Sequence, residues 1–231
     1  MVRISKRLRE SKKEFTKEKS FPLKDAIATI AKFPKVKFDE TVELHILLNI
    51  DTKQSEQSVR GTIVLPHGTG NKVRVAVFCQ GENIQKAVDC GAEHAGAQDL
   101  IEKVNKGFLD FDCIIATPDM MRDLSKLGKV LGPRGLMPSP KAGTVTQDIA
   151  KAIKEVKAGR IEFKSDKQAG IHVGFGKRSF SEQNLLENVT GLLEAIGHTR
   201  PASVKGDFLK SISISTTMGP GIKVVYEQQS G

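Results

Sequence analysis

Residues 215–221 read Ser-Thr-Thr-Met-Gly-Pro-Gly and separate two segments in which apolar side chains occupy every second position. The alternating apolar residues are Ile212 and Ile214 before the stretch, and Ile222, Val224 and Tyr226 after it. An alternation of period two is typical of strands that bury one face. Because glycine and proline interrupt the pattern, the two segments are predicted to form a β-hairpin with an irregular turn.

The composition of the hairpin tip admits two interpretations. In the simpler one the turn only joins the strands, and Met218 packs into the hydrophobic core. In the other the tip is a docking surface, because Gly219 lets another backbone approach closely and hydroxyl groups can hydrogen-bond to sugars and phosphates. The hydroxyl groups of this region belong to Ser211, Ser213, Ser215, Thr216 and Thr217.

A second long alternating segment begins just after residue 40. One face of the predicted strand would carry Val42, Leu44, Ile46, Leu48 and Ile50, and the other Glu43, His45, Leu47 and Asn49. Phe38 precedes the strand and lies close to Lys35 and Lys37 in the sequence. An aromatic ring and two cations are therefore expected near the start of this strand.

The charge balance favours a polyanionic partner. The 231 residues include 36 Lys and Arg against 27 Asp and Glu, a formal net charge of +9. Residues 1–66 carry +5 of this charge, and residues 67–159 and 160–231 carry +2 each. Charge alone does not distinguish RNA from DNA or an anionic membrane. With one Tyr and no Trp, a surface that stacks several bases is not expected, whereas structured RNA can be recognised by shape, phosphates and 2′-hydroxyls.

The composition is that of a folded globular protein. Hydrophobic residues make up 39% and charged residues 27% of the chain, and no apolar run is long enough for a transmembrane helix. The basic N-terminus lacks the apolar segment of a secretory signal. The three cysteines, Cys79, Cys90 and Cys113, show no CxxC spacing, which is typical of a reducing, cytoplasmic setting.

The order of the predicted elements indicates one domain inserted into another. Residues 1–19 form a basic run that fits either a solvated helix or an arm that contacts phosphates. Ser20 is predicted to cap a helix with Pro22 in its first turn, and Pro34 to end it. Strands and helices then alternate across the middle of the chain, and a segment rich in Gly and Pro, residues 128–143, is expected to lack regular structure. Neither outer piece has enough elements for its own core, so residues 1–66 and 160–231 are predicted to form one domain into which residues 67–159 are inserted.

No motif of catalysis or cofactor binding is complete. The segment Gly68–Lys72 resembles a phosphate-binding loop, but it precedes a strand and lacks the Gly-Lys-Ser/Thr ending. Cys90 and His94 are four residues apart, a spacing that fits one helix face, yet two ligands do not make a zinc site. No cofactor or metal is expected, and the competing functional class is a hinged two-domain enzyme that acts on an anionic substrate.

Five separated segments resemble one known family. They are Lys-Phe-Asp-Glu-Thr-Val-Glu at 37–43, Val-Arg-Gly-Thr at 59–62, Leu-Pro-His-Gly-Thr-Gly at 65–70, Leu-Gly-Pro-Arg-Gly-Leu-Met-Pro at 131–138 and Thr-Thr-Met-Gly-Pro at 216–220. In this order they resemble the bacterial family of ribosomal protein L-one, over nearly the whole chain. The resemblance implies a discontinuous α+β first domain of split β-α-β type and an inserted α/β, Rossmann-like three-layer domain on a two-strand hinge.

The resemblance also implies a function. It implies a cytoplasmic component of the large ribosomal subunit that binds ribosomal RNA at the mobile side stalk. It further implies a part in the release of deacylated tRNA from the exit site, and repression of the protein's own operon mRNA. The implied primary RNA surface consists of Lys37, Phe38, Thr41, Glu43, Ser211, Thr217, Met218 and Gly219. Arg134 and Lys141 would make secondary RNA contacts from the insert.

Overall fold

The computed structural model describes residues 6–11, 20–204 and 206–225, without the side chain of Ser55. Much of the predicted basic run 1–19, and Tyr226 of the predicted hairpin, lie outside the described residues. The helices are α1 Lys6–Ser11, α2 Leu23–Lys32, α3 Glu82–Asp89, α4 Gln98–Asn105, α5 Met121–Leu124, α6 Gly128–Leu131, α7 Ile149–Lys157 and α8 Glu182–His198. Short 3-10 turns occupy Ser55–Gln57, Pro118–Met120, Ser125–Leu127 and Pro140–Ala142.

Ten strands complete the secondary structure of the described residues. They are β1 Phe21–Pro22, β2 Thr41–Leu48, β3 Arg60–Val64, β4 Val75–Phe78, β5 His94–Gly96, β6 Cys113–Ala116, β7 Arg160–Lys164, β8 Gly170–Lys177, β9 Leu209–Thr216 and β10 Ile222–Val225. The fold is therefore a mixed α/β structure with several sheets. In the described part of the chain no helix has the length and apolar character needed to cross a membrane.

The contacts within the chain define two compact units. The first comprises the described residues of Met1–Gly70 and Phe163–Gly231, and the second comprises Asn71–Glu162. The boundaries that the sequence predicts, 66/67 and 159/160, lie a few residues N-terminal of these. Strands β3 and β7 form a separate two-stranded sheet.

The first unit contains a five-stranded sheet in the order β1-β10-β9-β2-β8. The pairs β10–β9, β9–β2 and β2–β8 are antiparallel, and β1 runs parallel to β10. The predicted hairpin of β9 and β10 is thus confirmed. Alternate residues of β2 and β9 are buried, and α2 and α8 pack against the sheet. The opposite face of β2 and β9, here called the open face, carries mainly polar side chains and the exposed Leu47.

The second unit contains a three-stranded parallel sheet in the order β5-β4-β6. Apart from His94 at the start of β5, its strand residues are apolar or small, as expected for a parallel sheet covered on both sides. Ala76 and Phe78 of β4 belong to a core with residues of α4 and α5. Val75 and Val77 belong to another core with residues of α3 and α7.

Three local predictions were wrong. Ser20 does not cap a helix, because Phe21 and Pro22 pair with Val224 and Val225 and α2 begins only at Leu23. Cys90 and His94 do not share a helix face, since Cys90 follows α3 and His94 begins β5. The segment 128–143 contains the short helix α6 and a 3-10 turn, although its glycines and prolines predicted neither.

Candidate nucleic-acid interface

The start of β2 and the end of β9 lie side by side at one end of these two neighbouring strands of the five-stranded sheet. The register pairs Val42 with Thr216, so Thr41 lies beside Thr217. The Thr217 hydroxyl accepts a hydrogen bond from the Thr41 N–H at 3.0 Å and lies 3.3 Å from the Thr41 carbonyl oxygen. The Thr217 N–H donates to the same carbonyl at 3.1 Å. Two segments that are far apart in sequence are thereby joined through Thr217, whose hydroxyl the sequence predicted to be available for a ligand.

Met218 lies in the connection between β9 and β10 and points away from the core. Met218 is 49% exposed, whereas Pro220 and Ile222, which follow it, are buried. The interpretation in which Met218 packs into the core is therefore wrong. A Cβ atom on Gly219 would lie 2.3 Å from the Thr216 Oγ1, so the tight turn at this position requires glycine.

A buried carboxylate lies directly beneath the tip. Glu40 is 2% exposed, and its Oε1 accepts hydrogen bonds from the Met218 N–H at 3.0 Å and the Thr216 hydroxyl at 3.1 Å. Its Oε2 accepts from Arg178 Nη1 at 2.8 Å. Neither Glu40 nor Arg178 is among the site residues predicted from the sequence. Glu40 lies in phase with Val42 and Leu44, and an acidic residue in phase with a buried face was the available signal.

The other predicted contact residues are distributed along the same part of the sheet. Lys37 and Phe38 precede β2 and are exposed, with Phe38 at 53%. Glu43 is half-buried on the open face of β2 and pairs in register with Ser215. Ser211 is exposed but lies near the other end of β9, about 13 Å along the strand from Ser215. The structure thus brings Thr41, Glu43, Thr217, Met218 and Gly219 to the same end of β2 and β9. Lys37 and Phe38 precede this end of β2 in the chain, and Ser211 lies farther along the same face of β9 as Ser215.

The two predicted secondary residues lie in the second unit. Arg134 follows α6, and Lys141 lies in the 3-10 turn Pro140–Ala142. Both residues are exposed. Their surroundings in the second unit leave both cations accessible to a partner.

Two histidines form a cluster on the open face of the sheet. His45 of β2 pairs in register with His172 of β8, and their Nδ1 atoms are 2.9 Å apart. The His45 Nε2 lies 2.9 Å from the Ser215 hydroxyl and 3.8 Å from Glu43, while the His172 Nε2 lies 3.6 Å from Asp166. Burial and the neighbouring His172 lower the pKa of His45, and Glu43 opposes this effect.

This cluster predicts a pH dependence of stability. Because the pKa of His45 is lower in the folded protein than in the unfolded chain, the unfolded chain binds more protons below about pH 6.5. The free energy of unfolding should therefore fall as the pH drops from 6.5 towards 5. In His45→Gln the decrease in melting temperature between pH 7 and pH 5 should be smaller than in the wild type. Between pH 7 and pH 8 the two proteins should change equally, and equal changes at the acidic end would contradict the assignment.

Two of the three cysteines, Cys79 and Cys113, have the character of structural thiols. Burial raises the pKa of Cys113 to about 11 and also raises the pKa of Cys79. A thiol of raised pKa stays protonated at neutral pH and is a poor nucleophile. Among the residues that the structure describes, no three His, Cys, Asp or Glu side chains are placed to hold a metal ion.

Comparisons with known proteins agree with the family that the motifs indicate. The model of the ribosomal protein L1p/L10e family matches residues 30–220. The large ribosomal subunit protein uL1 of Protochlamydia amoebophila is 53% identical over 97% of this chain and 95% of its own length. The uL1 proteins of Thermosipho africanus and Kosmotoga olearia are 54% and 48% identical, over 97% and 99% of both chains. The match covers both units and reaches from α2 to the tip of the β9–β10 hairpin, and the chain accordingly belongs to the ribosomal protein L1p/L10e family.

Proposed function

We propose that this protein is a component of the large subunit of the cytoplasmic ribosome and binds large-subunit ribosomal RNA directly. The observation that carries the proposal is that Thr41 lies beside Thr217, Met218 and Gly219 where β2 begins and β9 ends. Exposed side chains, hydroxyl groups and the main chain of a glycine form the surface at this position, and the exposed side chains do not pack into the hydrophobic core. Such groups recognise structured RNA through its shape, phosphates and 2′-hydroxyls.

The proposed primary RNA surface is the set that the family motifs imply: Lys37, Phe38, Thr41, Glu43, Ser211, Thr217, Met218 and Gly219. Lys37 supplies a cation for phosphate, and the carboxylate of Glu43 can accept from a base amino group or a 2′-hydroxyl. Arg134 and Lys141 would add secondary contacts from the second unit. The alternative of a hinged enzyme is set aside, because the family is one of ribosomal proteins.

The direct test uses the purified full chain and a structured fragment of large-subunit ribosomal RNA. Gel filtration should show co-elution with this RNA, and a duplex DNA of equal length and charge serves as the control. Affinity for the RNA should fall as salt rises, because phosphate contacts release counterions. Equal affinity for the RNA and the DNA would contradict the proposal.

Two further roles belong to the same proposal. We propose that the protein takes part in releasing deacylated tRNA from the exit site, and that it represses translation of its own operon by binding the mRNA. If the mRNA uses the ribosomal RNA surface, an excess of the ribosomal RNA fragment should displace the mRNA leader. Simultaneous binding of both RNAs to one protein molecule would contradict a shared surface.

We also propose that the first unit is the primary RNA-binding domain and that residues 67–159 are an inserted Rossmann-like domain. The parallel order β5-β4-β6, with cores on both faces of its sheet, supports the second assignment. The first assignment is supported by the position of the primary surface and by residues 1–66 and 160–231, which carry +5 and +2 of the net charge.

This domain assignment predicts that RNA binding survives deletion of the insert. A chain in which a short Gly/Ser linker joins residues 1–66 to 160–231 should fold and bind the ribosomal RNA fragment. Its affinity should be weaker by no more than about tenfold, or about 1.4 kcal/mol, because only the secondary contacts are lost. Circular dichroism would verify folding before filter binding. A folded shortened chain without specific binding would contradict the assignment.

A further inference from the structure

Side chains hold the backbone of Met218 on both sides. Its N–H donates to Glu40 Oε1 at 3.0 Å, and its carbonyl accepts from Arg7 Nη2 at 2.9 Å. Neither bond belongs to the ladder between β9 and β10, because Met218 lies in the connection between these strands. The residue whose backbone is held in this way is 49% exposed. The protein therefore fixes the Met218 main chain and presents its side chain to the surface.

The carboxylate of Glu40 occupies a position that suits an apolar residue. Glu40 is 2% exposed and in phase with the buried residues Val42 and Leu44. A charge that leaves water costs free energy unless hydrogen bonds and an opposite charge compensate it. Thr216, Met218 and Arg178 supply this compensation within 3.1 Å. Two of these three partners, Thr216 and Met218, lie at the end of β9 and in the turn that follows it. A carboxylate at position 40 is therefore explained by its hydrogen bonds to this turn.

Arg178 sets the orientation of Glu40. Its guanidinium donates to the Glu40 Oε2 at 2.8 Å and to main-chain carbonyl groups at the end of α2. The carbonyl acceptors are those of Pro34 at 3.2 Å, Ala31 at 3.3 Å and Phe33. The main chain of Arg178 also donates to the Glu40 carbonyl at 2.8 Å. A single side chain thus connects α2, the start of β2 and, through Glu40, the hairpin tip.

We infer that Glu40, oriented by Arg178, is a positioning residue that preorganises the Met218 segment for RNA binding. This inference rests on the proposed function. Glu40 is buried and contacts no RNA itself, so it acts through Met218 and Thr216. A loop that is already fixed in its bound conformation loses less conformational entropy when the partner binds.

The test compares Glu40→Gln with the wild type in the full chain. Glutamine keeps the size of the side chain, but its amide group cannot accept hydrogen bonds on both sides. Affinity for the ribosomal RNA fragment should fall about tenfold, as expected for the loss of a charge-assisted hydrogen bond. The slope of affinity against salt should not change, because no phosphate contact is lost. Lys37→Ala is the matched control, and it should reduce that slope.

Amide hydrogen exchange without RNA tests the positioning independently. The Met218 amide should exchange faster in Glu40→Gln than in the wild type, while the amides of β2 keep their protection. A wild type that fails to bind ribosomal RNA would overturn the proposed function. Unchanged exchange at Met218 in a folded Glu40→Gln protein would overturn the positioning role, whatever the RNA result.

A double-mutant cycle separates positioning from a loss of folding. In the background of Met218→Ala, Glu40→Gln should reduce RNA affinity by less than about twofold, because the side chain that the fixed main chain presents to the RNA is gone. An equal loss in both backgrounds would overturn the inference. If Glu40→Gln does not fold, Arg178→Lys replaces it, since lysine keeps the charge beside Glu40 but not the contacts to several carbonyls. That variant should lose about threefold in affinity, and wild-type affinity in a folded Arg178→Lys protein would overturn the inference.

Discussion

Met218→Asp should lower the affinity for large-subunit ribosomal RNA about a hundredfold, equivalent to about 2.7 kcal/mol, while the protein remains folded. The Met218 residue is 49% exposed and its backbone is held by Glu40 and Arg7, so the substitution removes little from the core. The new carboxylate would face phosphates and would replace an apolar contact. Because salt screens this repulsion, the loss should be larger at low ionic strength than at high. Filter binding at two salt concentrations, with thermal melts of the same samples, measures both effects.

Met218→Leu is the matched control for this prediction. Leucine keeps an apolar side chain of similar volume, so both affinity and melting temperature should stay close to those of the wild type. If Met218 belonged to the core, burial of an aspartate would cost several kcal/mol of stability. A large decrease in the melting temperature of Met218→Asp, with affinity that follows only the folded fraction, would contradict a surface role for Met218.

Periodicity predicted the long elements of the fold well. The alternation over 42–50 corresponds to β2, which ends at Leu48, and the two alternating segments near the C-terminus form the β9–β10 hairpin. The longest helix, α8, is capped by Ser181, whose hydroxyl accepts from the Asn184 N–H at 3.2 Å. These elements span enough residues for period two or 3.6 to be visible.

The short elements could not be predicted from local pattern. β1 has two residues and β5 has three, too few for any periodicity to show. Ser20 and Pro22 have the local character of a helix start, but parallel pairing with β10 draws Phe21 and Pro22 into a strand. The pairing of two distant strands overrides the local preference for a helix start at this point, and the sequence around residue 21 does not indicate this pairing.

Some residues of the candidate site could be predicted from local sequence, and others are recognisable only in the folded chain. Motifs indicated Thr41 and Thr217, but only the pairing of β2 with β9 shows that the Thr217 hydroxyl is bonded to the Thr41 main chain. Arg178 carries no local signal, because it follows the end of β8 and reaches Glu40 only in the folded chain. Buried polar networks join distant segments, so their members become recognisable only when those segments are brought together.

Phe175→Ala should destabilise the first unit by about 3–5 kcal/mol and lower its melting temperature by about 10 °C or more. Phe175 lies in β8 and is 0% exposed, so truncation removes a whole ring and leaves a cavity. The main chain at this position is also held by Asn188, a buried side chain of α8 whose Nδ2 donates to the Phe175 carbonyl at 2.8 Å. Since a folded domain is stable by only about 5–15 kcal/mol, this loss is a large share of the total. Thermal and urea unfolding measure it.

Two companion variants make the prediction specific. Val225→Ala removes methyl groups from a residue that is 52% exposed at β10, so its effect should stay within about 0.5 kcal/mol. Phe78→Ala makes a comparable cavity in the core of the second unit. Residue-resolved hydrogen exchange should show loss of protection mainly in the first unit for Phe175→Ala and mainly in the second for Phe78→Ala. Equal loss of protection in both units for each variant would contradict this prediction. It would mean that the chain unfolds as one cooperative body, because two cores lose stability separately only when each unit can unfold without the other.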